Sequence, residues 1–327
     1  MTEVRSFTVA SCAATFGVFT SEPVERLKAA GCTVRINPLG RVLTKQEIIK
    51  FAYGADAIVV GNDTISADTI RQLPDLRLIA RHGASVDNIA YQEAVRRDIL
   101  VTNTPGANAE ETADLTFGLI LDLERNITRM NNELKDGKWR KRAGHSLYGK
   151  TIGIIGVGAI GTAVAKRAMG FGMDILGNDI CDRPDAARTG LIFTSLNDLL
   201  RKSDIVTIHT PLTAATKNLI GAKELRMMKD DAILINTARD GIVRHAALEK
   251  ALSEGKLHGY ATDVHPSEPP RHLSMFELPN VIVTPHAGSA TYEANLRMGM
   301  AVADNIIAVM NGVKPPNLVT PMTQLYG

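Results

Sequence analysis

The sequence predicts an α/β protein built from two doubly wound parallel-sheet domains, with the second domain inserted into the first. Short apolar strands alternate with helix-period segments over residues 1–101, and the alternation resumes at Thr151. Strands that alternate with helices of about 10 residues form parallel sheets with helices on both faces. The last helical segment, ATYEANLRMGMAVADNIIAVMNG, follows the second run of strands and has no sheet left to cover there. We therefore expect it to return to the first domain, which would make that domain discontinuous.

The first domain is expected to be flavodoxin-like and to cover residues 1–102 and 290–327. Its predicted strands are RSFTVAS, TVRIN, DAIVVG, LRLIARHGA and ILVTNTP. The segments SEPVERLKAAG, TKQEIIKFAYGA and SADTIRQL have helical periodicity, with Ser21 at the N-cap of the first and Pro74 closing the third.

A long apolar helix is predicted near residues 108–135. Pro105 and Gly106 break the chain before it, and Asn108 with Glu111 resembles a capping box. From Leu115 to Leu123 nearly every side of this helix is apolar, so it must be buried on more than one face. Such burial indicates contact between domains or with another subunit. We expect a homodimer with this helix at the interface.

The second domain, residues 103–289, is predicted to be a Rossmann domain. Six apolar strands fit its doubly wound sheet: TIGIIG, DILGND, SDIVTIHT, AILINTARDG, LHGYATDV and NVIVTPHAG. The first of these strands runs directly into the motif GVGAIG, which opens a predicted helix. Gly156 would make the tight turn, Gly158 would let the backbone approach a pyrophosphate, and Gly161 would let the helix pack on the strand.

The glycine motif alone is a weak signal, because glycine-rich turns also occur for packing. Here an acid completes the pattern, since Asp179 lies 18 residues after Gly161 at the end of the next strand. A carboxylate in that place accepts hydrogen bonds from the adenosine ribose. It would also repel a 2′-phosphate, although Arg183 is near. The sequence therefore predicts NAD, rather than NADP, as the cofactor.

Composition argues against several other classes of protein. A formal net charge of +2 gives no electrostatic case for nucleic-acid or membrane binding. No run of about 18 apolar residues predicts a transmembrane helix, and the N-terminus lacks the basic region of a signal peptide. The cysteines, Cys12, Cys32 and Cys181, match neither a disulfide framework nor a metal-ligand spacing. We expect a cytoplasmic protein without a metal site; His145, His245, His258, His265 and His272 stand in no recognisable constellation.

Three polar residues follow the later strands of the second domain. Arg239 lies in NTARDG, Glu268 in DVHPSEPP and His286 in VTPHAGS. Transfer of a hydride between NAD and a 2-hydroxy acid needs a proton acceptor, which a histidine supplies. It also needs a carboxylate that stabilises the imidazolium and a guanidinium that pairs with the substrate carboxylate. Each residue alone could be a turn residue, a loop acid or an ion-pair partner. Their order and their placement at strand ends favour a catalytic role.

The chain resembles the D-isomer-specific 2-hydroxyacid dehydrogenases over nearly its whole length. The segments that carry the likeness are GASVDNI, NAEETAD, GVGAIG with Asp179, HTPLTAATKNLI, ILINTARDG, ATDV, SEPP and TPHAGSAT. The resemblance implies that His286 is the acid/base, Glu268 its partner and Arg239 the anchor of the substrate carboxylate. It further implies substrate contacts from Ser85, Val86 and Asn108. The implied cofactor contacts beyond the three glycines and Asp179 are Ala159, Ile160, Thr210, Pro211, Thr237, Ala238, Asp263, His286 and Gly288.

The expected reaction interconverts a small 2-oxo acid and its D-2-hydroxy acid, with glyoxylate or hydroxypyruvate favoured as substrate. Phosphoglycerate-specific relatives tend to carry an arginine after the third strand, where this chain has Asn62 and Asp63. An acid there would repel a phosphate, and we expect no additional regulatory domain after Gly327. D-3-phosphoglycerate dehydrogenase is the alternative enzyme. An NAD-sensing, corepressor-like scaffold is the alternative of another class.

Overall fold

The computed structural model describes residues 6–181, 183–270 and 274–319, and the chain divides into two units. One unit is Met1–Asn108 with Ala290–Gly327, and the other is Ala109–Ser289. The segment 103–108, which was expected in the second domain, lies with the first unit. The Asn103 amide donates to the Asn317 carbonyl (3.2 Å) and the Thr104 amide to the Gly83 carbonyl (3.0 Å). These bonds hold the segment to the first unit until the chain enters the second.

The first unit contains a parallel sheet of five strands, all of which were expected from the sequence. Their order is β2-β1-β3-β4-β5, the order of flavodoxin-like folds. The strands are β1 Thr8–Ser11, β2 Thr33–Ile36, β3 Ala57–Val60, β4 Leu78–Arg81 and β5 Leu100–Thr102. The helices between them are α1 Glu22–Ala29, α2 Lys45–Ala52, α3 Ala67–Arg71 and α4 Tyr91–Arg96. Every residue of β3 and β4 is buried, as a sheet covered on both faces requires.

Ser21 occupies the N-cap position of α1, but its side chain does not cap the helix. Its backbone is already helical, with φ −87° and ψ −20°, whereas a capping residue is usually extended. Its hydroxyl donates instead to Glu25 Oε1 (2.6 Å). Thr44, which is extended, forms a complete capping box with Glu47 at the start of α2.

The second unit contains a parallel sheet of seven strands in the order β12-β11-β10-β9-β6-β7-β8. The six expected strands are present, and β8 was not foreseen because it has only two residues, both exposed at the sheet edge. The strands are β6 Thr151–Ile155, β7 Asp174–Asn178, β8 Ile192–Phe193, β9 Ile205–Ile208, β10 Ile233–Asn236, β11 Gly259–Thr262 and β12 Val281–Val283. The helices are α5 Ala109–Arg125, α6 Ile127–Lys135, α7 Ala159–Gly170, α8 Pro184–Ala187, α9 Leu196–Lys202, α10 Ala222–Met227 and α11 His245–Ser253, with a 3-10 helix over Ser274–Glu277.

The single helix expected near 108–135 is two helices, α5 and α6. Asn126 separates them in the left-handed conformation, with φ 54°, and the Asp122 carboxylate accepts the Thr128 amide (2.7 Å) in the first turn of α6. α5 packs on α7 and on β10, β11 and β12, so its own unit covers its apolar surface. α6 has no buried residue. The apolar character of α5 is therefore explained without a second subunit.

The last helix, α12 Tyr292–Met310, packs against α1 and β4 of the first unit. Its buried residues Val302, Ala303 and Ile306 share a core with that unit's helices and strands. Gly299 allows close packing, since a Cβ there would lie 2.5 Å from Pro23 Cγ. Among the described residues, no helix combines the length and the apolar character needed to cross a bilayer.

Candidate active site

Nearly all of the residues singled out in the second unit lie at the carboxyl edge of its sheet. Gly156 follows β6, Asp179 follows β7, Thr210 follows β9, Arg239 follows β10, Glu268 follows β11 and His286 follows β12. Because all these strands are parallel, their carboxyl ends meet at one edge. Doubly wound sheets bind ligands in that place.

The glycine turn between β6 and α7 is shaped by close approaches. Gly156 has φ +88°, and a Cβ there would lie 2.7 Å from the carbonyl carbon of His209. A Cβ on Gly161 would lie 2.1 Å from the Gly156 carbonyl oxygen. No described atom lies within 4 Å of a Cβ built on Gly158, so the backbone there is open to a ligand. The amides of Ala159 and Ile160, in the first turn of α7, have no acceptor within the helix and suit a phosphate.

Asp179 ties the end of β7 to the glycine turn. Its Oδ2 accepts the Val157 amide (2.7 Å) and its Oδ1 accepts the Cys181 amide (3.0 Å). Arg183 Nε lies 4.0 Å from Oδ2. A carboxylate has about four lone-pair sites, so the same oxygens can still accept ribose hydroxyls. The turn, the helix terminus and this acid together fit a dinucleotide.

Buried hydrogen bonds hold the ends of β9 and β10 together around His209. Its Nε2 contacts Thr207 Oγ1 (2.9 Å) and its Nδ1 contacts Thr237 Oγ1 (3.4 Å). Thr237 also contacts Thr116 Oγ1 on α5 (3.1 Å). Burial lowers the pKa of His209 to about 3, so the ring is neutral. His209 is a supporting residue that positions Thr237.

The loop after β9 is closed by threonine side chains. Thr216 Oγ1 donates to the Pro211 carbonyl (2.6 Å), and Thr210 Oγ1 donates to the same oxygen (3.3 Å). Thr213 and Thr216 also exchange side-chain and backbone hydrogen bonds. Thr210 and Pro211, two of the expected cofactor contacts, therefore lie on a well-braced loop.

The structure brings His286 and Glu268 into direct contact. His286 Nδ1 forms a short hydrogen bond with Glu268 Oε1. The two side chains are 26% and 29% exposed, so the pair is accessible from solvent without being fully hydrated. With Nδ1 held by the carboxylate, the ring orientation is fixed.

Asp263 fixes the loop that carries His286. Its Oδ1 accepts the Thr284 hydroxyl (2.6 Å) and the Ala287 amide (2.7 Å). Its Oδ2 accepts the Gly288 amide (2.8 Å), and the side chain is only 1% exposed. The family resemblance assigned Asp263 and Gly288 to the cofactor; the contacts seen here show that both shape the His286 loop. In the sequence, this role of Asp263 is indicated only by the position of an acid at the end of β11, the strand that pairs with β12.

The turn that carries Arg239 is formed by Asn236, which sequence reasoning missed. Asn236 Oδ1 accepts the Ala238 amide (3.1 Å) and its Nδ2 donates to the Arg239 carbonyl (3.0 Å). Arg239 Nη1 donates to the Ala238 carbonyl (2.7 Å). An asparagine at a strand end that bonds the backbone two residues later is a typical turn device. Ala238 and Arg239 are thereby set at the edge of the sheet.

In the first unit, the loop with Ser85 and Val86 is held from beneath by Arg81. Arg81 is 6% exposed, and it donates from Nε to the Ser85 carbonyl (2.9 Å) and from Nη1 to the His82 carbonyl (2.8 Å). Asn103 Nδ2 donates to the Ala84 carbonyl (2.6 Å). Arg81 and Asn103 were not foreseen. Asn108, the remaining expected substrate contact, directly precedes α5.

His82 belongs to the core of the first unit. It is 5% exposed and its ring meets Phe16 edge to face, with centroids 5.7 Å apart. Burial lowers its pKa to about 4. From the sequence, His82 in ARHGASVDN is either a substrate contact or a strand-end polar residue, and these contacts favour the second interpretation.

Asp63 is buried, so the expected repulsion of a phosphate by this acid lacks a structural basis. It is 1% exposed, and its oxygens accept the Leu43 amide (3.0 Å) and the Gly61 amide (3.1 Å). Burial raises the pKa of its carboxyl group. Asn62 Oδ1 accepts from Arg81 Nη2 (3.4 Å). Both residues shape the first unit.

Replacing Asp263 with asparagine is expected to loosen the His286 loop. An amide cannot accept from all three donors, so at least one buried group loses its partner, and the free energy of unfolding falls by about 1–3 kcal/mol. The Ala287 and Gly288 amides should also exchange faster with solvent deuterium. Asp198→Asn, at a half-exposed helix start, is the matched control. Unchanged exchange at both loop amides in Asp263→Asn would contradict this role.

Comparison with known proteins agrees with this geometry. Residues 117–288 match the family model described as D-isomer specific 2-hydroxyacid dehydrogenase, NAD binding domain. A glyoxylate reductase of Korarchaeum cryptofilum is 42% identical over 84% of this chain and 86% of that protein. A D-3-phosphoglycerate dehydrogenase of Methanocaldococcus jannaschii is 41% identical over 85% of this chain but only 54% of that longer protein. The crystal structure of a protein from Thermus thermophilus is 36% identical and matches 96% of this chain and 100% of that one, with a TM-score of 0.87. The chain belongs to the D-isomer specific 2-hydroxyacid dehydrogenase family.

Proposed function

We propose that this enzyme reduces a small, unphosphorylated 2-oxo acid such as glyoxylate or hydroxypyruvate to the D-2-hydroxy acid. The observation that carries the proposal is the His286–Glu268 pair at the carboxyl edge of an NAD-binding sheet. The similarity to a glyoxylate reductase over most of both chains supports the substrate class.

Each residue of the proposed site has one task. NADH, when bound, supplies the hydride to the carbonyl carbon. His286 donates a proton from Nε2 to the carbonyl oxygen, while Glu268 accepts the Nδ1 hydrogen and stabilises the imidazolium. Arg239 pairs with the substrate carboxylate through two parallel hydrogen bonds.

The cofactor is held by the chain's own backbone and one acid. The open face at Gly158 and the first turn of α7 take the pyrophosphate. Asp179 accepts the ribose hydroxyls and opposes a 2′-phosphate, which favours NAD over NADP.

Two other functions can be distinguished from this proposal by the substrates that are tested. The similarity to a phosphoglycerate dehydrogenase makes a phosphorylated 3-carbon acid the alternative substrate. Because the Asp63 carboxylate accepts backbone amides, it gives no reason to exclude a phosphorylated substrate. The preference for an unphosphorylated acid rests on the similarity to a glyoxylate reductase. A scaffold that senses NADH would bind the cofactor without turnover.

Oxidation of NADH with a panel of acids tests the proposal. Glyoxylate or hydroxypyruvate should be reduced faster than pyruvate, phenylpyruvate and phosphohydroxypyruvate. In His286→Ala the proton donor is lost, so turnover should fall by at least about 100-fold. NADH binding, followed by fluorescence, should remain, which shows that the variant is folded.

Other results of this assay reject the proposal. Faster reduction of phosphohydroxypyruvate would assign the enzyme to phosphoglycerate. Tight NADH binding with no turnover of any acid would favour the scaffold.

We further propose that the protein is a homodimer that buries one face of α6. Ile127 and Leu134 lie two turns apart on that helix, and they are 51% and 56% exposed. Trp139, four residues after the helix, is 80% exposed. Large apolar side chains exposed together in this way are typical of an interface. A second copy of the chain is the occupant we propose.

Sedimentation of Leu134→Asp tests the dimer. The native protein should sediment at twice the chain mass of 35.3 kDa, and the variant should shift toward the single chain, since a carboxylate would be buried in the interface. Val313→Asp, at another exposed apolar residue, should not change the mass. A dimer that persists in Leu134→Asp would place the interface elsewhere.

We also infer a reducing, cytoplasmic compartment. Cys12, Cys32 and Cys181 are all free thiols. Burial raises the pKa of Cys12 to about 12, so it is inert as a nucleophile. Unpaired thiols are typical of proteins that stay in the cytosol.

A further inference from the structure

Two histidines and a glutamate meet at the opposite edge of the second sheet. Glu124 lies in the last turn of α5, His145 lies in the loop after α6, and His258 directly precedes β11. Their ligand atoms all lie within 4.8 Å of one another. This edge holds the amino ends of the strands, so the cluster is separate from the residues that surround His286. The sequence showed no constellation around His145 and His258; His272, which was considered with them, lies outside the described residues.

Backbone contacts place the two histidines beside the helix end. A Cβ on Gly144 would lie 2.0 Å from the Glu124 carbonyl oxygen, so only glycine lets the loop cross there. The His145 amide then donates to that oxygen (2.9 Å). The His258 amide donates to the Ala232 carbonyl (3.0 Å), which fixes His258 at the start of its strand. The two rings meet edge to face with centroids 5.3 Å apart.

One oxygen of the Glu124 carboxylate lacks a hydrogen-bond partner. The residue is 5% exposed, and Oε2 has no hydrogen bond from any described residue. It also lies at the negative end of α5, where an anion is unfavourable. Such a group needs a proton or a cation close by.

The lysines near the cluster lie beside another carboxylate, that of Asp204. Lys150 and Lys229 are both drawn to Asp204, with nitrogen–oxygen distances of 3.8 and 2.9 Å. His258 is half-buried beside His145, and its ring can bind a metal ion through a nitrogen lone pair when the imidazole is neutral. A cavity of about 180 Å³ adjoins Glu124 and His145, and its other lining residues are Lys150, Asp204, Lys229, Asp230 and Asp231.

We propose that Glu124, His145 and His258 form a binding site for a divalent transition-metal ion, with Zn²⁺ the best match. Two imidazoles and one carboxylate are a common set of protein ligands for Zn²⁺, and a water in the cavity would take the fourth position. Ligand atoms about 2.1 Å from one Zn²⁺ ion lie less than 4.8 Å apart, as the ligand atoms of this cluster do. His145 is the exposed member of the cluster. The bound ion would tie the loop after α6 to α5 and β11.

Zinc titration of the chelator-treated protein tests this site. Calorimetry with Zn²⁺ alone should show one ion per chain, and the ion should raise the melting temperature. His145→Ala should bind Zn²⁺ at least about 10-fold more weakly. Loss of a residue that only hydrogen-bonds to a metal ligand already costs that much affinity, and His145 would be a ligand itself. Glu124→Gln keeps the shape of the side chain and should also lose affinity. His245→Ala, whose histidine pairs with Asp240 away from the cluster, should bind as the native protein does.

X-ray absorption at the zinc edge adds a direct readout. The native protein should show nitrogen or oxygen ligands at about 2.0–2.1 Å with imidazole scattering. Because His145 is exposed, His145→Ala is expected to fold, so its zinc binding can be measured even if Glu124→Gln does not fold. Absence of binding in the native protein, equal binding in His145→Ala, or a spectrum without imidazole would each overturn the site.

Discussion

The geometry of the candidate active site depends on the hydrogen bonds that the Asp263 carboxylate accepts. The carboxylate is buried at the end of β11 and accepts hydrogen bonds from Thr284, Ala287 and Gly288. These groups flank His286, whose backbone is left-handed with φ 53°. A histidine rarely adopts that conformation unless its surroundings impose it. The same loop is braced from α5, where Thr112 Oγ1 donates to the Gly288 carbonyl (3.2 Å).

Once this loop is fixed, the parallel sheet determines the rest of the site. Glu268 extends from the strand next to β12 and engages His286 Nδ1. Arg239 comes from the strand after that, on a turn that Asn236 shapes from both ends. The glycine turn and Asp179 lie further along the same edge. Neighbouring strand ends thus bring together groups that are far apart in sequence, and their supports are buried hydrogen bonds that resist rearrangement. Such preorganisation is what proton and hydride transfer require.

Much of this architecture was predictable from the sequence, because strands and helices differ in their apolar periodicity. The glycine motif and the polar residues were predicted at strand ends, and the structure places them at the carboxyl edge of the second sheet. Among the features that the sequence did not predict, four have a clear physical reason. β8 is too short to show a period, and the break at Asn126 depends on one left-handed residue.

The other two features depend on the tertiary structure. Whether Asp63 faces solvent or its own backbone is decided by the fold of the loop after β3, which the residue type does not reveal. The Glu124, His145 and His258 cluster joins a helix end, a loop and a strand start, with no spacing that marks it. The family resemblance assigned Asp263 to the cofactor; its hydrogen bonds from Thr284, Ala287 and Gly288 were not predictable, because these donors lie on and after the next strand.

Single-turnover kinetics of Glu268→Gln test the central claim most directly. The amide keeps the shape of the side chain and can still accept the His286 Nδ1 hydrogen, but it cannot stabilise the imidazolium by charge. With enzyme-bound NADH and glyoxylate, the oxidation of NADH in the first turnover should slow by about 100-fold or more, while NADH affinity stays unchanged. An unchanged rate in the first turnover would show that proton donation by His286 does not depend on the Glu268 carboxylate, which contradicts the role of the pair.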